Sequence, residues 1–92
     1  MIFLLHCVDK AKHGHVRDEN RQAHIDYLKS NLKRIRLAGP MTSDDGKEMV
    51  GSVIIIEAAD RAEAEAFAAG DPYAKAKLFK TVTIKAFKKV FP

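Results

Sequence analysis

The apolar positions of this chain follow two different periods, and each change of period marks a predicted element. Residues 2–8 are apolar except for His6, a pattern typical of a buried strand. Residues 9–17 are mostly polar and predict a loop. From residue 18 to residue 36, apolar side chains recur every three or four positions, which predicts an amphipathic helix. Those side chains are Ile25, Leu28, Leu32 and Ile35.

The second half of the chain predicts a hairpin, a helix and a last strand. Residues 37–41 and 50–57 are predicted strands, joined by a turn at Asp44-Asp45-Gly46 because glycine tolerates a positive φ. Asp60 and Glu63 have the spacing of a capping box, which starts a helix that ends at Gly70. Asp71-Pro72 predicts a further short helix. Residues 82–90 alternate apolar and polar, as in a strand.

The resulting order, β-α-β-β-α-β, predicts a ferredoxin-like α+β fold, in which a four-stranded antiparallel sheet carries both helices on one face. A chain of 92 residues is too short for a second core, so we expect one domain over residues 1–92. The third strand is apolar on both faces, with Val53 and Ile55 on one and Ile54 and Ile56 on the other. Since two helices cover only one face, we expect a homodimer formed through the other.

Composition places the chain among globular proteins. Apolar residues make up 47% and charged residues 30%, and no apolar run is long enough to cross a bilayer. The single cysteine, Cys7, cannot form an internal disulfide, and the opening apolar run is too short and lacks the basic start of a signal peptide. We therefore expect a cytoplasmic protein.

The charge is asymmetric. Sixteen basic and twelve acidic residues give a net charge of +4, and the chain after Asp71 is rich in lysine and holds no acidic residue. Such a segment could meet nucleic acid, but lysines also protect an exposed edge strand from aggregation. We favour the edge strand and expect no nucleic-acid partner, because the chain has no arginine cluster and no RNA-binding aromatic pattern.

His24 is the first candidate for chemistry, since an imidazole can take up and return a proton at cellular pH. Its place at the N-terminal end of the apolar stripe puts it at the rim of the sheet; the alternative is a core-edge histidine bonded to backbone. Asp71 could orient or charge-stabilise such an imidazole. Its position before Pro72 is also explained by helix capping alone, and the two roles can coexist.

Three further polar side chains have open interpretations. Ser52 lies on a strand of large apolar residues, so its hydroxyl should face a polar partner, which could be a ligand, His24 or backbone. Tyr27 and Tyr73 could line a cleft or pack in the core, and the pattern does not decide between them.

A metal site is the weakest of the interpretations. His13 and His15 could join His24 as imidazole ligands, but no carboxylate or thiolate stands at ligand spacing beside them. We expect a solvated loop there, with neither metal nor cofactor.

Four short motifs resemble, in order and separation, those of the YCII-related (YciI-like) family. They lie at residues 21–28, 38–41, 51–53 and 71–74, and they span nearly the whole chain. The resemblance implies a ferredoxin-like fold that dimerises through its sheets into a dimeric α/β barrel.

The resemblance also implies an active site built around a histidine and an aspartate, here His24 and Asp71, with Ser52 beside the pocket. Arg21 and Tyr73 belong to the same motifs and are expected to contact substrate. The family often has glycine where this chain has residues 34–36 and Lys77. The added positive charge could favour an anionic ligand.

By analogy with relatives in aromatic-compound breakdown, we expect a small-molecule enzyme. The His/Asp pair would perform general acid/base chemistry, such as an isomerisation or a lyase-like elimination on a small cyclic or aromatic compound. The alternative is a non-catalytic dimeric module that binds a metabolite or assists a partner.

Overall fold

The computed structural model describes residues 1–92 and has the predicted α+β architecture. Its four strands form one antiparallel sheet in the order β2-β3-β1-β4. The elements are β1 Ile2–Asp9, α1 Gly14–Ser30, β2 Ile35–Thr42, β3 Met49–Glu57, α2 Arg61–Gly70, α3 Pro72–Lys75 and β4 Phe79–Phe87. None of the helices is long and apolar enough to span a membrane.

One face of the sheet forms the core with the helices. Leu5 of β1 pairs with Ile54 of β3 and Ile84 of β4, so the three side chains point to the same side, and all are buried. Ala64 and Phe67 of α2 pack onto them. Burying these side chains is what holds the helices against the sheet.

The other face of the sheet is also apolar and has no helix over it. Leu4 of β1 pairs with Ile55 of β3, which in turn pairs with Leu37 of β2, so all three point away from the core. Leu37 is 60% exposed. The predicted two-faced strand is therefore confirmed, and we call this surface the open face.

Local turn and cap signals are confirmed at both predicted places. The side chain of Asp60 accepts a hydrogen bond from the backbone N–H of Glu63 at 2.9 Å, as a capping residue does. Gly46 adopts a φ of 76° in the turn between β2 and β3, a conformation that costs glycine nothing.

The predicted limits of the first helix are wrong at both ends. Helix α1 begins at Gly14 instead of residue 18 and ends at Ser30 instead of residue 36. Ser30 and Asn31 both donate side-chain hydrogen bonds to the carbonyl oxygen of Tyr27, which competes with continuation of the helix. Leu32 is 69% exposed, so the apolar stripe ends at Leu28.

The last strand also lies three residues earlier than predicted. β4 covers Phe79–Phe87 because its pairing follows β1, from Asp9 opposite Phe79 to Ile2 opposite Phe87. Beyond Phe87 no β1 residue remains to pair with. β4 is an edge strand, as expected for the lysine-rich segment, and Lys80 and Lys85 on it are exposed.

Candidate active site

His24 and Asp71 meet across 47 residues of sequence. Helix α1 carries His24, and the junction between α2 and α3 carries Asp71. The imidazole Nδ1 lies 2.8 Å from Asp71 Oδ1. Because an ionised carboxylate only accepts hydrogen bonds, Nδ1 donates, and the lone pair of the imidazole lies on Nε2. Nε2 makes no hydrogen bond within the chain.

Asp71 also caps the short helix α3. The same oxygen, Oδ1, accepts a hydrogen bond from the backbone N–H of Tyr73 at 2.9 Å, and Pro72 occupies the first turn. The residue is 2% exposed. The two contacts proposed for Asp71 from the sequence therefore occur together, and capping fixes the carboxylate that holds the imidazole.

The ring of Tyr73 packs against the imidazole of His24. The two rings are stacked, with centroids 4.0 Å apart and an angle of 14° between their planes. Burial raises the pKa of Tyr73, and the positive charge of Arg17 partly opposes that rise. The phenol therefore stays neutral over the physiological range.

Tyr27, by contrast, is a packing residue. Its ring stacks on Phe67 and its hydroxyl donates to the carbonyl oxygen of Phe67 at 2.8 Å. Of the two tyrosines left open by the sequence, only Tyr73 lines the cleft beside His24.

A cleft of about 170 Å³ opens beside His24, between α1 and the second half of β2 with the first residue of β3. Pockets that hold drug-sized ligands measure about 300 to 1,000 Å³, so this cleft suits a smaller molecule, of about one ring. Ile25 and Leu28 of α1 and Pro40 of β2 give it apolar walls.

The charge of the cleft is positive. Arg21 and Arg17 line it, and no aspartate or glutamate does. The Arg21 side chain is exposed and makes neither an ion pair nor a hydrogen bond with the rest of the chain. It is therefore free to contact a ligand, and a positive cleft attracts anions. A contact of Arg21 with substrate stays a prediction.

Ser52 does not line the cleft. It is buried on β3, on the core side of the sheet, and its Oγ accepts a hydrogen bond from Arg17 Nη2 at 3.1 Å. The polar partner expected from the sequence is thus an arginine, which the sequence did not suggest. A contact of Ser52 with substrate stays a prediction.

Arg17 is the site residue that the sequence missed. It was assigned to a loop, but it lies in the first turns of α1 and is 5% exposed. Its Nε donates to Asp9 Oδ2 at 2.9 Å and its Nη2 to Asp9 Oδ1 at 3.0 Å. Burial alone would lower the pKa of Arg17, but the hydrogen bond and charge of Asp9, with Tyr73, raise it overall. The guanidinium stays charged.

One signal could have found Arg17. It lies seven residues before His24, two turns along the same face of a helix, as Arg21 lies one turn before. Extending α1 four residues toward the N-terminus would have placed all three side chains over one cleft.

The other histidines lie apart from the site. The rings of His13 and His15 are 5.8 Å apart, and His13 Nδ1 contacts the carbonyl oxygen of Ala11. The chain contains no group of three or more His, Cys, Asp or Glu side chains placed to hold a metal ion. A larger cavity of about 690 Å³ adjoins residues 9–13 and the first turn of α1, and its lining is mainly charged.

Comparison with known proteins supports a single family. A model of the YCII-related domain matches residues 1–88. Protein YciI of Escherichia coli and protein YciI of Shigella flexneri are each 34% identical over 98 residues, covering 99% of this chain and all of the relative.

Solved structures agree with that assignment. The 5-chloro-2-hydroxyhydroquinone dehydrochlorinase TftG from Burkholderia phenoliruptrix, in complex with 2,5-dihydroxybenzoquinone, matches with a TM-score of 0.88 and 35% identity, over 96% of this chain and 94% of that one. Rv0793 from Mycobacterium tuberculosis matches with a TM-score of 0.51 at 13% identity over 97% of this chain and 95% of that one, and shares the fold alone. With a family model matched over nearly its whole length and full-length relatives at a third identity, this chain belongs to the YCII-related family.

Proposed function

We propose that this protein is a small-molecule enzyme in which His24 and Asp71 perform general acid/base chemistry, in an elimination or isomerisation on a small cyclic or aromatic compound. The observation that carries the proposal is the 2.8 Å contact between His24 Nδ1 and the buried carboxylate of Asp71. That contact directs a proton-accepting Nε2 away from the carboxylate, on a ring that lines the cleft.

In this mechanism Nε2 of His24 takes a proton from the substrate. In an elimination, the electron pair left behind forms a double bond and expels the leaving group as an anion. In an isomerisation, it shifts a double bond, and Nε2 returns the proton to another atom of the substrate. Asp71 stabilises the imidazolium that forms, and holds its orientation. Arg21 faces the negative charge that develops on the substrate or leaving group.

The comparisons support the substrate class. A relative of 35% identity is named as a dehydrochlorinase and was solved with a quinone bound. The cleft of this chain has the size of about one ring, apolar walls and a positive charge, which suits a ring that carries ionised hydroxyl groups.

We also propose that the protein works as a homodimer through the open face. This surface includes the side chains of Leu4, Leu37, Val53 and Ile55. Phe87 lies at its margin and is 46% exposed. An apolar patch of this kind is uncommon on monomers, and a second copy offers a surface of identical chemistry.

A cytoplasmic location remains part of the proposal. It is supported by Cys7, a free and buried thiol in a chain without disulfides, as is usual in reducing compartments.

The test is a screen of small cyclic and chlorinated aromatic compounds for turnover, with wild type, His24→Gln and His15→Gln compared. We expect His24→Gln to abolish turnover while the circular dichroism spectrum stays native. His15→Gln removes an exposed histidine outside the cleft and should leave turnover unchanged.

Retention of activity in His24→Gln would remove His24 from the mechanism. Ligand binding in the cleft without any turnover across the screen would favour the alternative, a non-catalytic metabolite-binding module.

A further inference from the structure

Arg17 is more deeply buried than an arginine on a helix surface should be. It and Asp71 are the only charged residues of the chain that are buried, at 5% and 2% exposure. Arg17 forms a buried ion pair with Asp9, with side chains 6% and 7% exposed; burying each ion costs several kcal/mol before the partners compensate, and apolar side chains in place of the whole pair would often be as stable. Fold stability alone is therefore a weak reason for an arginine here.

The contacts of Arg17 join separate elements at the site. Besides Asp9 at the end of β1, its Nη2 donates to the carbonyl oxygen of Gly51 at 2.9 Å and to Ser52 Oγ at 3.1 Å, both on β3. The guanidinium is therefore clamped at several points. Its position is set by strands β1 and β3 of the sheet.

The clamped guanidinium lies over the ring of Tyr73, with its central carbon 4.7 Å from the ring centroid. The imidazole of His24 stacks on the same ring at 4.0 Å. Arg17 and His24 are seven residues apart, or about 10.5 Å along the axis of α1. Both side chains therefore contact the same Tyr73 ring.

We propose that Arg17 is a positioning residue for His24, which acts by holding the Tyr73 ring in the plane on which the imidazole rests. This inference builds on the proposed function. Asp71 fixes only the Nδ1 edge of the imidazole, and a ring held by one hydrogen bond can still pivot about it. Tyr73 blocks that rotation, and Arg17 keeps Tyr73 from turning away.

Geometry of this kind matters for catalysis because a misplacement of about 1 Å can lower a rate about 100-fold. Loss of Arg17 should therefore lower kcat by about 10- to 100-fold with KM little changed, since the cleft walls and Arg21 remain. Loss of a merely structural residue would instead lower the fraction of folded enzyme, leaving the kinetics of the folded part unchanged.

A test that needs no substrate is the proton NMR signal of the His24 imidazole, which the stacked Tyr73 ring shifts upfield. The chain has four histidines, and the signal is assigned by its absence in His24→Gln. Arg17→Met and Arg17→Lys are compared with wild type. Arg36→Met is the matched control, because Arg36 is exposed and pairs with Glu57 away from the site.

We expect the His24 signal to move downfield in Arg17→Met and Arg17→Lys, toward that of an unstacked histidine, and to stay in place in Arg36→Met. A native His24 signal in either folded Arg17 variant would overturn the proposal. Failure of both variants to fold would overturn it too, because Arg17 would then serve the fold itself.

The kinetic arm uses a double-mutant cycle. If Arg17 acts through Tyr73, Arg17→Met should cost little further kcat once Tyr73→Leu has removed the ring, whereas independent effects would multiply and contradict the proposal. Unchanged turnover in His24→Gln would instead contradict the proposed function. The NMR arm would still decide the role of Arg17.

Discussion

His24 donates from Nδ1 to Asp71 across 2.8 Å, and the accepting oxygen is the same one that caps helix α3. One carboxylate oxygen thus ties a helix start to an imidazole on another helix. Folding of the short α3 turn and orientation of the imidazole are therefore coupled. Substitutions at Asp71 can separate the two.

Asp71→Asn should keep the fold but lose the chemistry. Asparagine is as good a helix cap as aspartate, so the free energy of unfolding should change little. Its amide oxygen can keep both contacts of Oδ1, the cap of α3 and the contact with Nδ1, but a neutral amide no longer stabilises the imidazolium that forms when Nε2 takes up a proton. We expect kcat/KM to fall about 100-fold or more, measured beside urea unfolding curves.

Asp71→Ala is the companion variant. It also removes the cap of α3, so its free energy of unfolding should fall by about 1 kcal/mol. Full activity in Asp71→Asn would mean that the carboxylate serves only α3.

Val53→Asp should convert the protein to a monomer. Val53 lies on the open face of the central strand β3, where a buried carboxylate in a sheet-to-sheet interface would lack a partner. Sedimentation equilibrium should give about twice the 10.3 kDa chain mass for wild type and the single chain mass for the variant.

Ala66→Asp is the matched control for that experiment, because Ala66 is exposed on α2, on the opposite side of the sheet. Its mass should equal that of wild type. A monomeric wild type in dilute solution would contradict the proposed dimer.

Gly51→Ala should destabilise the fold. A Cβ at this position would overlap the carbonyl oxygen of Cys7 and the end of the Met41 side chain. The backbone oxygen cannot move without breaking the sheet, so we expect a loss of about 1 to 3 kcal/mol in the free energy of unfolding, measured by urea titration.

Gly14→Ala serves as the control for that loss, since a Cβ there meets no atom within 4 Å and the position is helical. Its stability should equal or slightly exceed that of wild type. Equal stability of Gly51→Ala and wild type would show that the strands can shift apart at no cost.

Cys7 should be unreactive in the folded protein. Burial first, and then the negative charges of Asp71 and Asp9, raise the pKa of its thiol to about 12. Since the thiolate is the reactive form, a disulfide reagent at about pH 8 should modify urea-unfolded protein quickly and native protein only as fast as it opens.

The same pKa shift gives a pH dependence of stability. In the unfolded chain the thiol loses its proton at about pH 8.5, whereas in the folded chain it keeps the proton until about pH 12. The native state thus binds more protons in this window, so the free energy of unfolding should fall as the pH rises through it. Cys7→Ala should show a shallower fall, and an equal slope would contradict the assigned shift.

Local chemistry made much of the architecture predictable. The capping box at Asp60, the turn at Gly46 and the two-faced pattern of β3 each depend on residues close in sequence, and each appears as expected. These signals act within a few residues, so they need no knowledge of the rest of the fold.

Element ends were less predictable because they depend on distant partners. β4 ends at Phe87 because its partner β1 begins at Ile2. The sequence of residues 88–90 gives no sign that the strand ends before them. The end of α1 was missed for a different reason, since the apolar spacing of Leu32 and Ile35 continues the helical pattern by chance into a turn and a strand.

The sequence by itself determined the strand and helix types, the apolar character of both sheet faces, and His24 and Asp71 as candidates. Only the tertiary structure decided that these two side chains touch, that Ser52 faces Arg17, and that Arg17 and His24 both contact one tyrosine ring. The physical reason is the distance along the chain over which each interaction acts. Propensities and caps are fixed by neighbours along the chain, whereas a buried charge and a stacked ring depend on contacts that exist only after helices and sheet have packed.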